Sequence, residues 1–513
     1  MTEKKKSLIG VEPIRDARQL GRPKMLVLGL QHMFAMFGAT VLVPLNTGLD
    51  ISSALFMAGV GTLLFHLLTK GKIPAFLGSS FAFMSGYDAV KEMWGGQGIN
   101  ALPYACLGVA CAGFLYLILA AIIKGVGVAR VMRFFPPIVV GPIIIAIGLT
   151  LAPSAIDNCS SNWLIAIVAL AIVVIFNIWG KGMSKIIPII LGILGAYAVA
   201  LILYFIGQAN PSLVNDVPWL FAGGYNAEAK TYNLIFDFSG VSEIIRNIGQ
   251  GQIFGAQGVI GLPINFGSDG NTIFAIDWSN TSMIVSSIVA IVPIAIATMM
   301  EHIGDISAIS ATTGNNFISS PGLHRSLTGD GLATTLASVF GGPANTTYGE
   351  NTGVLVLTKV FDPRVVRIAA FFAVGVSFFP IISAVIRTIP DAIIGGISFI
   401  LYGMISSIGV RNMVENKVDL TKSRNLIVAA VILVSALGIT FSSARNISFT
   451  VFGVTIALTG LAVAAIVGII FNAVLPGKDY VFKADETAES AVNFAVGANS
   501  KRQEKEDSAA DKE

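Results

Sequence analysis

Charge is scarce in this chain. Asp, Glu, Lys and Arg make up 12% of its 513 residues, against roughly 25% in soluble domains. With 54% hydrophobic residues and a mean hydropathy of +0.76, a water-soluble globular fold is excluded. Cysteine is also rare. Cys106, Cys111 and Cys159 make no disulfide framework, match no metal spacing, and read as small apolar fillers. The four histidines are scattered and neither HExxH nor GxSxG occurs, which argues against an intramembrane protease or serine hydrolase. The first 24 residues are basic and lack an apolar run, so no cleavable signal peptide is expected.

What the chain does have is a series of apolar stretches from Met25 to Pro476, most of them about 20 residues long and able to cross a roughly 30 Å hydrocarbon core as helices. The expected segments are 25–45, 51–69, a short 73–86, 101–123, 134–152, 162–179 and 186–206, then 282–310, 327–340, a broken 342–358, 365–386, 390–409, 425–441 and 447–475. An all-α polytopic membrane protein with fourteen transmembrane segments follows. The basic residues set its orientation. With a cytoplasmic amino terminus, all but Lys91, Lys230, Arg246, Arg387 and Arg445 of the 33 Lys and Arg fall inside, the positive-inside pattern with both termini cytoplasmic. Lodged between spans, these residues are topology signals rather than a nucleic-acid surface. Residues 1–24 are the cytoplasmic N-tail, 207–281 an extracellular excursion, and 476–513 a disordered cytoplasmic tail.

The two halves echo one another. Gln31-His32 in the first span matches Glu301-His302 in the eighth; GSSFAF (78–83) matches NTTYGE (345–350); PPIVVGP (136–142) matches PDAIIGG (390–396). The matches are collinear, pairing segments 1, 3 and 5 with 8, 10 and 12. Seven segments per half is an odd number, so residues 25–206 and 282–475 are expected as inverted repeats, a construction of secondary transporters.

In that construction a pair of short, Gly/Pro-interrupted segments marks the substrate site. IPAFLGSSFAF and GGPANTTYGENTG are such a pair, and their Pro74, Pro343, Thr346, Thr347 and Tyr348 favour extended backbone. Short β-strands are therefore expected in segments 3 and 10. Glu350 opens the helical part of segment 10, where it would accept hydrogen bonds from a ligand's N–H groups. Glu301 and Asp305 stand four apart on segment 8, on one helical face. Three carboxylates around one cavity cannot all stay charged cheaply, so one is expected to carry a proton. The competing reading puts Glu301 and Asp305 near the cytoplasmic surface, because segment 8 is long and contains Pro293. Phe81 and Tyr348 are expected to line the cavity and stack on a flat ligand. Gln31 and His32 suit proton coupling and interhelical hydrogen bonding equally, while His66 and His324 read as structural.

These residues resemble the nucleobase–ascorbate transporter (nucleobase/cation symporter) family, and within it the bacterial uracil permeases. LQHMFAMFGATVLVP (30–44) is similar to the family's first span, GSSFAF to its third, and EHIGD at Glu301 to its eighth. NTTYGENTGVLVLTK (345–359) is similar to its tenth, with the signature intact as Glu350, Asn351, Gly353, Thr358 and Lys359. The resemblance implies core and gate domains and a homodimer in the bacterial plasma (inner) membrane. It also implies uracil import coupled to protons, with sodium as the alternative ion and no cofactor. Glu301 and Glu350 would bind the pyrimidine's polar edge, backbone groups near Phe81 and Gly349 its carbonyls, and Phe81 and Tyr348 its faces. Glu301, Asp305, His32 and Gln31 are the proton-coupling candidates. One departure stands out: Asp305 occupies a position where uracil permeases carry histidine and xanthine or urate carriers often carry aspartate. A xanthine, urate or broad nucleobase symporter is the nearest rival, and an anion carrier of the same fold a more remote one.

Overall fold

The computed structural model describes residues 9–10, 12–94, 99–226, 231–268, 270–451, 454–478 and 480. Its helices start and stop where local chemistry dictates. α1 (Arg22–Thr47) has Pro23 in its first turn and ends at Gly48 in the left-handed region. α2 (Ile51–Leu68) is capped by Asp50, whose carboxylate accepts from the Ser53 N–H. The third segment is broken as expected: a three-residue strand, β1 (Leu77–Ser79), precedes α3 (Met84–Trp94). α4 (Leu102–Val126), α5 (Pro137–Ser160), α6 (Trp163–Trp179) and α7 (Pro188–Ala209) complete the first half.

The interval 207–281 has structure of its own. A hairpin of β2 (Ala222–Asn226) and β3 (Thr231–Leu234) is followed by α8 (Ser239–Gly249). Phe236 stacks on Phe238 and packs edge-on against Tyr197 and Tyr204 of α7, anchoring the interval to that helix.

In the second half, α9 (Thr281–Ile291) and α10 (Ala295–Thr313) form one run interrupted by a 3-10 turn at Pro293. α11 (Leu323–Val339) leads into β4 (Asn345–Thr347) and α12 (Gly349–Thr358), the second broken segment. α13 (Pro363–Ser377) bends by 86° into α14 (Pro380–Arg387), where Pro380 cannot continue the preceding hydrogen-bond ladder. α15 (Asp391–Glu415) and α16 (Ser423–Thr440) follow.

The last expected span, 447–475, is only half helical. Its first part, rich in Thr, Val and Ile, pairs as β5 (Asn446–Val451) with β6 (Val454–Thr459), and α17 (Gly460–Val474) is what remains. Among the described residues, eight helices are long and apolar enough to cross a membrane, or nine if the bent α13–α14 pair counts as one span, and α6 and α17 are shorter apolar helices. Most of the 476–513 tail lies outside the described residues.

One continuous apolar core runs through both halves. Within it α5 and α15, the matched fifth and twelfth segments, approach backbone to backbone. A Cβ on Gly409 would come within 2.6 Å of the Gly141 carbonyl oxygen and 2.7 Å of the Ile145 nitrogen. Backbone cannot yield as a side chain does, so the approach requires glycine. Replacing Gly409 with Val is expected to destabilise the protein by about 1–3 kcal/mol through overpacking, read as a lower melting temperature in detergent.

Candidate functional site

The two broken segments meet in the middle of the bundle. Leu77, Gly78 and Ser79 pair antiparallel with Thr347, Thr346 and Asn345. The ladder continues through Ser80 N–H to the Ala344 carbonyl (2.8 Å) and Tyr348 N–H to the Phe76 carbonyl (3.1 Å). A two-stranded ribbon leaves its outer edges unpaired, and buried backbone without a partner is costly. Side chains from neighbouring helices fill those edges. Thr62 of α2 accepts from the Leu77 N–H at 2.9 Å and Thr334 of α11 donates to the Asn345 carbonyl at 2.6 Å, while the side-chain amide of Asn345, from the ribbon itself, donates to the Met57 carbonyl of α2 at 2.9 Å. All of these groups are buried.

Gly78 also makes room for the aromatic wall. A Cβ there would collide with the Tyr348 ring, whose hydroxyl donates to the Ser79 carbonyl at 2.9 Å and accepts from Thr40 at 3.3 Å.

Beside the ribbon is a cavity of about 230 Å³, smaller than the roughly 300–1,000 Å³ that drug-sized ligands occupy. It suits a single small ring. Phe81 and Tyr348 come from the two broken segments, and Phe81 packs edge-on against Tyr402 with centroids 5.8 Å apart. Glu301 and Asp305 line the cavity from α10, Gly349 and Thr352 from α12, and Val140 and Ile144 supply apolar wall from α5. Arg411, Asn412 and Glu415 from the last turns of α15, with Asn416 at its C-cap, add polar lining, and Arg411 pairs with Glu415. Tyr480 also lines the cavity.

Five residues singled out in the sequence therefore share one cavity: Phe81, Glu301, Asp305, Tyr348 and Gly349. Glu350 is the second residue of α12, and its side chain lies outside the described residues. Gln31 and His32 are not part of the wall; both are buried within α1.

Behind the cavity lies a polar chain that sequence reasoning missed. Asp305 accepts from the Thr347 hydroxyl at 2.9 Å. Thr347 Oγ1 is 3.5 Å from His302 Nδ1, which sits 3.0 Å from Asp330 Oδ2, and both His302 and Asp330 are fully buried. The available signal was Asp330 itself, an acid in the apolar segment 327–340. Arg411 and Glu415 were missed for a different reason: α15 runs past residue 409, where the segment was expected to end.

Comparison with known proteins gives a family match, relatives and solved structures. A Permease family model (Xan_ur_permease) matches residues 23–237 and 260–445. The uracil permease of Bacillus subtilis (strain 168) is 38% identical over 460 residues, 87% of this chain and 91% of that protein. A probable uracil permease of Haemophilus influenzae is 36% identical over 474 residues, 90% of this chain and 96% of that protein. Among solved structures, the transmembrane domain of a cyanobacterium bicarbonate transporter, BicA, has a TM-score of 0.53 at 13% identity. It covers 90% of this chain and 99% of its own, a likeness of fold alone.

The buried pair generates its own test. Changing His302 to Leu leaves the Asp330 carboxylate without its partner, with an expected loss of about 3–5 kcal/mol. The double change with Asp330→Leu is expected to recover much of that loss. A double-mutant cycle of melting in detergent measures both.

Proposed function

The chain belongs to the Permease family, the nucleobase–ascorbate transporters its motifs resemble, and from that membership we propose that it imports uracil with protons across a bacterial plasma membrane. One observation carries the reading. A single small cavity collects an aromatic residue from each broken segment, two carboxylates from α10, and the start of α12. Uracil is flat, with N–H donors on one edge and carbonyl acceptors beside them. Carboxylates at Glu301 and Glu350 would accept from the N–H groups. Free N–H groups in the first turn of α12 would donate to a carbonyl, and Phe81 and Tyr348 would enclose the ring.

The antiparallel β1–β4 pairing supports two inverted repeats, because the matched segments meet across it in opposite directions. On this reading the fourteen segments form a core domain and a gate domain, the latter making a homodimer, and both termini are cytoplasmic. A proton taken up by a site carboxylate discharges it, and rocking of one domain against the other carries both solutes inward. The xanthine or urate alternative draws on Asp305, which is held by Thr347 and so acts as wall and second acceptor rather than as the main ligand group.

Labelled uracil uptake into proteoliposomes tests the reading. Uptake is expected to rise with an inward proton gradient and to ignore sodium, and unlabelled uracil is expected to compete better than xanthine. Stronger competition by xanthine, or sodium dependence, would replace this assignment. Glu301→Gln and Glu350→Gln each remove a charged acceptor, and a weakening of uracil binding by about 1–3 kcal/mol is expected from each. Isothermal titration of the purified variants measures it.

A further inference from the structure

The residues before α1 are fastened to the bundle. Ile14 forms a parallel bridge with Val360, just past the end of α12. Its N–H donates to the Lys359 carbonyl and its carbonyl accepts from the Phe361 N–H, both at 2.8 Å. Ile14 and Ala17 pack with Leu28, Val360 and Val365 in a small core of their own. The Ala17 N–H donates to Asp362 at 2.7 Å, and Arg364 bridges Asp362 and Asp16. Hydrogen bonds from Arg18, with the charges of Arg18 and Arg364, hold the Asp16 carboxyl below the usual carboxylate range, so the Asp16–Arg364 pair persists from neutral pH down to mild acidity.

Arg15 reaches the other way. Its guanidinium donates to the Thr313 carbonyl at 2.9 Å and to Asn315 Oδ1 at 2.7 Å. That is the C-terminal end of α10, where unpaired carbonyls and the negative end of the helix dipole favour a cation. One strap thus ties together the far ends of the helix that carries Glu301 and Asp305 and the helix that carries Glu350.

We propose that Ile14 and Arg15 are positioning residues: by locking the ends of α10 and α12 into one block, they hold the α10 carboxylates and the first turn of α12 at the spacing the ligand needs. Thr313 lies about 18 Å along the axis from Glu301 at 1.5 Å per residue, so the strap acts through the helices and never touches the ligand. Helices fixed relative to one another before binding lose less freedom when a ligand bridges them. Loosening the strap therefore costs affinity. Arg15 is exposed, and exposed polar contacts contribute little to global stability, so melting of the free protein is expected to change little in Arg15→Ala. Ile14 is buried, so Ile14→Ala is expected to lower the melting temperature.

The inference rests on reading the cavity as a uracil site, and the test separates the two. Ile14→Ala and Arg15→Ala, singly and together, are made in the full chain. Uracil Kd is expected to rise about 5-fold in each and about 20-fold in the double variant, the scale of a typical coupling between sites. Maximal exchange rate stays within about twofold because the moving block is intact. Arg15→Lys is expected to restore most of the affinity. Hydrogen–deuterium exchange without uracil is expected to quicken at the ends of α10 and α12 in the double variant. If the wild-type protein binds no uracil, the substrate reading fails and the exchange data alone judge the strap. Unchanged exchange at both helix ends, or unchanged affinity in the double variant, overturns the proposal.

Discussion

Everything in this fold is arranged around six residues of extended backbone buried inside a helical protein. An α-helix satisfies its own peptide groups; a strand cannot, and in an apolar interior each unpaired N–H or carbonyl is expensive. Here β1 and β4 satisfy one another across the middle of the bundle, and Thr62 and Thr334 close the outer edges. Those polar side chains are themselves buried, which pins α2 and α11 against the ribbon. The third and tenth segments are broken so that the start of α12 and two aromatic side chains, Phe81 and Tyr348, reach a common cavity.

That arrangement constrains its surroundings. Gly78 leaves space for the Tyr348 ring, and the Tyr348 hydroxyl in turn ties the ribbon to Ser79 and Thr40. Asp305 is oriented by Thr347 of β4, and beyond it His302 and Asp330 continue the polar layer. The acids of α10 are thereby fixed from two directions, by the ribbon at the cavity and by the amino-terminal strap at the far end of the helix. A cavity this small offers a ligand few handles. Precision in the placement of those few groups matters more than their number.

Much of this was legible from residue order. Low charge, recurrent apolar runs and the asymmetric basic residues point to a multi-pass membrane protein, because the bilayer penalises charge and unpaired backbone so heavily. Matched motifs at Gln31-His32 and Glu301-His302, and at GSSFAF and NTTYGE, drew attention to the two broken segments. Other features were misjudged. Residues 446–451 and 454–459 pair as strands β5 and β6 rather than opening a helical span, since an apolar run rich in Thr and Val has the same hydropathy in either form. α15 extends to Glu415, bringing Arg411 into the cavity wall, because hydropathy falls at polar residues whether or not the helix ends there.

The sequence by itself determined the class of molecule, the family, and the residue types available to a ligand, because composition and motif survive without coordinates. It could not decide which groups converge. Gln31 and His32 are as conspicuous in the chain as Glu301, yet they are buried in α1 away from the wall, while Thr347, Asp330 and Arg411 join the polar surroundings of the cavity. Convergence depends on helix rotation and on contacts between residues hundreds of positions apart, such as Gly78 with Thr346 or Arg15 with Thr313. Only the packed chain sets those distances, since each is fixed by the close approach of elements that share no local sequence.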